Sequence, residues 1–202
     1  MQKYLFQSKN KEIIIDDVLK ELNVTEDEII SNSYIEKNGL FGKKYVLEVV
    51  KLDEVAKFGK EILEELLISI GVKSNIETKI RDKVINYEII SNNNSTLIGK
   101  NGHILDAIQT YIRQVIFNNL DIYVKIQIDV QNYKEKQNYF LIKKIKKIAR
   151  DVTLTKQQVK LDPMNSYERK IIHEALQNFK YITTESEGIE PNRCIVIKYK
   201  EK

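Results

Sequence analysis

Thr96-Leu97-Ile98-Gly99-Lys100-Asn101-Gly102-His103-Ile104-Leu105 decides the fold. A G-x-x-G turn there separates a short apolar segment from a long amphipathic run, in which Ile104, Leu105, Ile108, Tyr111, Ile112, Val115 and Ile116 recur at three- and four-residue steps. That period belongs to a helix with one buried face, so the turn lies at a helix N-terminus. Two glycines let the backbone take positive φ and approach another molecule with no Cβ in the way. The free N–H groups of a helix start favour an anion, and Lys100 adds a cation at the tip. Gly99, Lys100, Asn101 and Gly102 are therefore candidates to hold a sugar-phosphate backbone.

A glycine pair closing an ordinary helix-turn-helix would look the same in those four residues, so the flanking segments decide. Two strand-like runs lie upstream, Asn75 to Ile80 and Lys83 to Ile90. Ile122 to Val130 downstream alternates apolar and polar over its whole length. Before them, residues 53–70 predict a helix with Val55, Phe58, Ile62, Leu66 and Ile70 along one stripe, ended by Gly71. Helix, strand, strand, helix, G-x-x-G, helix, strand resembles the type II arrangement of the KH domain, in which the loop clamps the backbone of about four nucleotides. No chemistry is assigned to His103, which reads as a solvated helix-start residue just past the loop.

The 202 residues are 42% hydrophobic, enough for packed cores in one to three small domains. No apolar run reaches the roughly 18 residues of a membrane span, and Met1 to Phe6 lacks the apolar region of a signal peptide, so a cytoplasmic location is expected. The single cysteine, Cys194, excludes an intramolecular disulfide framework and a thiolate metal cluster, and its strand-like surroundings suit a small buried hydrophobe. Charge is unevenly spread. Residues 133–202 hold 16 Lys and Arg against 9 Asp and Glu, a net +7, whereas the remaining 132 residues hold 17 against 20, a net −3. The C-terminal surplus points to a polyanion or an acidic membrane face.

Residues 1–52 read as a small α+β unit. Ile13, Ile14, Val18, Leu19 and Leu22 give a helical face, Thr25 to Glu28 is a capping-box pattern opening a second short helix, and Tyr45 to Val49 reads as strand. Between them, Gly39-Leu40-Phe41-Gly42 sets two large apolar side chains between glycines. Either both fold back onto the unit's own core, or they form a docking knob for another protein or for a second copy of the chain.

From Tyr133 the character changes. Leu141, Ile142, Ile145, Ile148, Ala149 and Val152 form an apolar stripe, and Lys143, Lys144, Lys146, Lys147 and Arg150 fill the other positions, either as a solvated face or as a phosphate-binding one. After a short strand stopped by Pro163, Asn165 or Ser166 caps a further helix. On it Arg169 and His173 share a face four residues apart, an ordinary surface spacing that would also suit a forked phosphate donor beside a ring. Arg193, following Pro191, is a further candidate by its charge and place.

R-x-x-x-H on a helix, preceded by Val159-Lys160-Leu161-Asp162-Pro163-Met164-Asn165 and followed by Thr183-Thr184-Glu185-Ser186-Glu187-Gly188, resembles the R-three-H domain, a module associated with single-stranded nucleic acid. A KH domain followed by that module, with a Gly-Leu-Phe-Gly unit in front, is similar over essentially the whole chain to the Jag family, also called KhpB or SpoIIIJ-associated protein. The resemblance implies an α+β fold of three small modules in tandem, residues 1–52, 53–132 and 133–202. It also implies a bacterial, cytoplasmic, non-catalytic binder of single-stranded RNA, with single-stranded DNA as the related alternative, acting as a regulator or RNA chaperone linked to cell elongation, division and cell shape. Carried over by position, Gly99, Lys100, Asn101 and Gly102 match the KH loop and Arg169 with His173 match the second module's signature. Arg193, Lys143 and Lys147 join them on charge. The implied partners are a KhpA-like KH protein and a homo-oligomer of this chain, with peripheral proximity to the membrane insertase and no cofactor. The competing reading is a protein-interaction adaptor at the division or membrane-insertion machinery, with incidental RNA binding. An enzyme finds no support in the residues, which offer no metal-ligand cluster, no G-x-x-x-x-G-K-[ST] and no nucleophile beside a base.

If Leu40 and Phe41 form a docking knob, replacing both by Ser abolishes partner capture while the circular-dichroism spectrum is kept. Loss of folding would place both side chains in the unit's own core.

Overall fold

The computed structural model describes residues 1–8, 11–38 and 42–201. Gly39, Leu40 and Phe41 lie outside them. The chain divides into two compact units, residues 1–132 and 133–202. No described helix is long and apolar enough to cross a membrane.

The first unit opens with β1 (Tyr4–Ser8), α1 (Lys11–Leu22), β2 (Ile29–Asn38) and β3 (Gly42–Lys51), in a sheet ordered β1-β3-β2 with both pairings antiparallel. β3 carries the apolar load, with Val46, Leu47, Val49 and Val50 all buried, and α1 closes one side by packing Val18 with Ile29, Leu47 and Val49. The Lys51 ammonium donates to the Leu22 carbonyl at 3.3 Å, a cation where the helix dipole wants one. The helix expected after Thr25 is a single 3-10 turn, Glu26–Glu28. There the Glu28 carboxylate accepts the Thr25 N–H at 2.8 Å and the Thr25 hydroxyl at 3.1 Å, and these bonds hold its carboxyl below the usual range.

α2 (Leu52–Ser69) follows β3 with no intervening residue. Its Glu54 accepts the Gln2 N–H at 2.8 Å and the Tyr4 hydroxyl at 3.0 Å, which ties β1 to the first turn of the helix. Next come β4 (Ser74–Arg81), β5 (Val84–Ser91), a short α3 (Asn94–Ile98), α4 (His103–Leu120) and β6 (Lys125–Val130). The sheet order is β4-β5-β6, antiparallel for the first pair and parallel for the second. A parallel pair needs a crossover, and α3 with α4 supply it. Ile85, Tyr87 and Ile89 of β5 and Ile126, Ile128 and Val130 of β6 are buried, as are Leu105, Ile108, Ile112, Ile116 and Leu120 of α4. Ile104 and Tyr111, expected on that helical face, are exposed instead.

The second unit runs α5 (Tyr133–Thr155), β7 (Val159–Lys160), α6 (Ser166–Leu176), β8 (Ile182–Glu187) and β9 (Cys194–Tyr199). Its antiparallel sheet is ordered β7-β9-β8, and Ile195 and Ile197 of β9 meet Ile145, Ala149 and Val152 of α5 and Ile172 and Leu176 of α6. Cys194 is a buried free thiol. Asn165 is the cap of α6: its side chain accepts the Glu168 N–H at 2.9 Å, and Glu168 accepts the Asn165 N–H at 3.2 Å.

The buried stripe of α2 is not the expected one. Leu52, Val55, Ala56, Gly59, Leu63 and Leu67 face inward, while Phe58, Ile62 and Leu66 are half-buried and Ile70 is exposed. The reason lies in β5. The Tyr87 hydroxyl reaches across to donate to the Ala56 carbonyl at 2.9 Å, and only the missing side chain of Gly59 leaves it room. Burial pushes that hydroxyl well above the ordinary phenol range, so it acts as a neutral donor. A Cβ at Gly59 would overlap the Tyr87 oxygen and crowd Ile116. Gly59→Ala gains about 1 kcal/mol of helix propensity but loses more to overpacking and the displaced hydroxyl, for a net destabilisation of about 2 kcal/mol, read as a lowered melting temperature.

Candidate nucleic-acid interface

The G-x-x-G turn joins α3 to α4 through three residues at positive φ, Gly99 at 68°, Asn101 at 54° and Gly102 at 83°. Gly99 combines its φ with ψ −175°, a region essentially closed to residues with a Cβ. Its Cα also faces the side chain of Ile104, whose Cγ1 would lie 2.6 Å from an added Cβ. Several of the turn's amides are used within the protein: Gly99 N–H donates to Ser95 O at 2.9 Å, Gly102 N–H to Gly99 O at 3.4 Å, and His103 N–H to Lys100 O. The anion site expected from free helix-start amides is thereby narrowed. What the turn presents outward are the exposed side chains of Lys100 and Asn101 at its tip, with exposed His103 and Ile104 beginning α4.

α4 is itself pinned. Gln109 Oε1 accepts the Ile128 N–H at 2.9 Å, and Arg113 donates to the Ile126 carbonyl through Nε at 3.0 Å and through Nη2. These side chains cover backbone groups of β6 that an open edge would offer to another strand. They also fix where α4, and so the turn, sits against the sheet.

In the second unit Arg169 and His173 do share one side of α6, yet each is committed to a different neighbour. Arg169 is 7% exposed. Its Nη1 donates to the Met164 carbonyl at 2.7 Å and its Nη2 pairs with Glu190 Oε1 at 2.8 Å. The fork expected to meet phosphate thus engages acceptors inside the protein, because the nearby Met164 and the sequence-distant Glu190 are folded against it. Met164 N–H in turn donates to the Arg193 carbonyl at 3.1 Å, so Arg169 anchors the segment from which Arg193 projects. Arg193 is exposed, with Nε donating to Ser186 Oγ at 3.0 Å. His173 is half-buried; its Nδ1 hydrogen bonds Thr184 Oγ1 at 2.7 Å, and its other ring nitrogen has no protein partner among the described residues.

Lys143 and Lys147 are exposed on α5, one helical turn apart and away from Ile145 and Ala149. Periodicity did not single out their neighbours Tyr139 and Phe140, both exposed; the available signal was two adjacent aromatic residues at i, i+4 from Lys143 and Lys144. Among the described residues no group of His, Cys, Asp and Glu could hold a metal ion.

The R-three-H domain family matches residues 140–199. The chain is 32% identical to the RNA-binding protein KhpB of Clostridium symbiosum, over 96% of this chain and 90% of that one. It is also 32% identical to the RNA-binding protein KhpB of Bacillus subtilis (strain 168), over 95% and 96% of the two lengths. Fold and matches together define a mixed α+β protein in which a G-x-x-G module precedes an R-three-H domain. The chain belongs to the KhpB family, also called Jag.

Because Arg169 is held on two sides, Arg169→Ala strands the Met164 carbonyl and releases Glu190. A loss of about 1.5–3 kcal/mol in thermal or denaturant unfolding is expected, with Arg169→Lys recovering only part because an ammonium lacks the planar fork.

Proposed function

We propose that this chain is a non-catalytic RNA-binding regulator that grips single-stranded RNA by its backbone at two places. The observation that carries the reading is the G-x-x-G turn, whose positive-φ geometry leaves Lys100 and Asn101 exposed at the tip. In that reading Lys100 supplies charge and Asn101 a small polar contact, while the glycines allow the backbone conformation that presents both.

The second grip is in residues 133–202. His173, Arg193, Lys143 and Lys147 offer donors to phosphate, while Arg169 contributes by holding the Met164 and Arg193 segments in place. Two weak grips on one chain raise affinity through effective concentration. The names of the two similar proteins support RNA as the ligand. The setting we propose follows the family resemblance: three modules (1–52, 53–132, 133–202) acting in the cytoplasm in cell elongation and division, alongside a KhpA-like KH protein.

Replacing Lys100 and Asn101 together by Asp is expected to weaken binding of a single-stranded RNA by about tenfold or more at moderate salt, with an unchanged circular-dichroism spectrum. It should also flatten the dependence of log affinity on log salt by about one unit. Undiminished affinity in the double variant overturns the turn as a binding site.

A further inference from the structure

The second turn of α5 carries two large rings on its solvent side. Tyr139 and Phe140 are 62% and 65% exposed, and their rings meet edge to face with centroids 5.6 Å apart. Rings left in water contribute little to folding, so this pair needs another reason to be there. A third exposed ring, Tyr167 at the start of α6, accepts a hydrogen bond from Asn138 Nδ2 at 2.9 Å, one residue from the pair. Beside Phe140 lies an open depression of about 510 Å³, mostly apolar, whose lining includes Tyr133, Leu141, Lys144 and Glu168.

Cations surround this surface. Helical spacing sets Lys143 beside Tyr139, and Lys144 and Lys147 beside Phe140. All three lysines are exposed, and none forms an ion pair among the described residues. The acidic group at the depression, Glu168, is held by the Asn165 N–H in the cap of α6.

We infer that Tyr139 and Phe140 are a stacking platform for unstacked nucleobases, with the adjoining phosphates on Lys143, Lys144 and Lys147. The inference rests on the RNA-binding reading and deepens it, by assigning the base contact to a part of α5 outside the Arg169 and His173 pair. An edge-to-face pair cannot cover both faces of either ring, so flat ring surface remains for a base. Charge decides against an apolar peptide as occupant. Such a peptide would strip water from the ammonium groups with nothing to pair them, whereas a nucleotide lays an uncharged plane on the rings and brings its negative charge to the lysines.

The test compares the full-length wild-type chain with Tyr139→Ala/Phe140→Ala, Tyr139→Leu/Phe140→Leu and Lys143→Ala/Lys147→Ala. Two probes are used, a single-stranded uridine homopolymer and an abasic ribose-phosphate oligomer of the same length, across a salt series, with melting curves to confirm folding. Both aromatic variants should lose about tenfold or more in affinity for the RNA, keep the salt slope, and bind the abasic oligomer as the wild type does. The lysine variant should lose affinity for both probes and flatten the salt slope by about two units. Undiminished RNA binding by the aromatic variants, which would leave the patch to a protein partner, overturns the platform, as does full affinity in the Leu variant or an equal loss on both probes. In each of those cases the reading of the G-x-x-G turn stands; a wild-type chain with no affinity for the RNA overturns both.

Discussion

A run of left-handed backbone at Gly99, Asn101 and Gly102 is the constraint on which the first unit depends. It joins α3 to α4 through four residues, and the two helices together carry the chain back to lay β6 parallel to β5. Ile104 occupies the space a Cβ at Gly99 would need, so conformation and packing both demand glycine there. The same residues that make the crossover compact leave Lys100 and Asn101 outward. The feature that shapes the fold therefore also presents the surface on which the proposed function relies.

In the second unit the comparable role falls to a charge. Arg169 is almost wholly buried, and a buried guanidinium is tolerable only when its donors meet acceptors. Met164 and Glu190 provide them, and the Met164 amide carries the connection on to Arg193. Neighbours differ in exposure: Arg169 holds the scaffold, while Arg193 and the α5 lysines Lys143 and Lys147 are exposed. α5 divides its own faces in the same way, with Ile145, Ala149 and Val152 in the core and Tyr139, Phe140, Lys143 and Lys147 outside.

Local signals carried far along this chain. Most of the α4 stripe, though not Ile104 or Tyr111, the β4–β5 hairpin and the alternation of β6 follow from period alone, and the Asn165 cap with Glu168 three residues on was legible as a motif. Elements without such patterning escaped. β2 is largely polar, with Ser31, Asn32, Ser33 and Glu36, and is a strand because β3 pairs with it along its length. The α2 stripe was misplaced around the helix because apolar residues lie on nearly every side of it, and the choice among them is made by Tyr87 reaching the space at Gly59.

By itself the sequence determined the α+β class, the place of the G-x-x-G turn, the helix that follows it and the spacing of Arg169 and His173, because each depends on residues a few positions apart. Tertiary structure alone decided which of those side chains face outward. Arg169 turns inward because Glu190, far along the chain, folds against it, whereas Tyr139 is left exposed; burial is a property of what packs against a side chain rather than of the side chain itself.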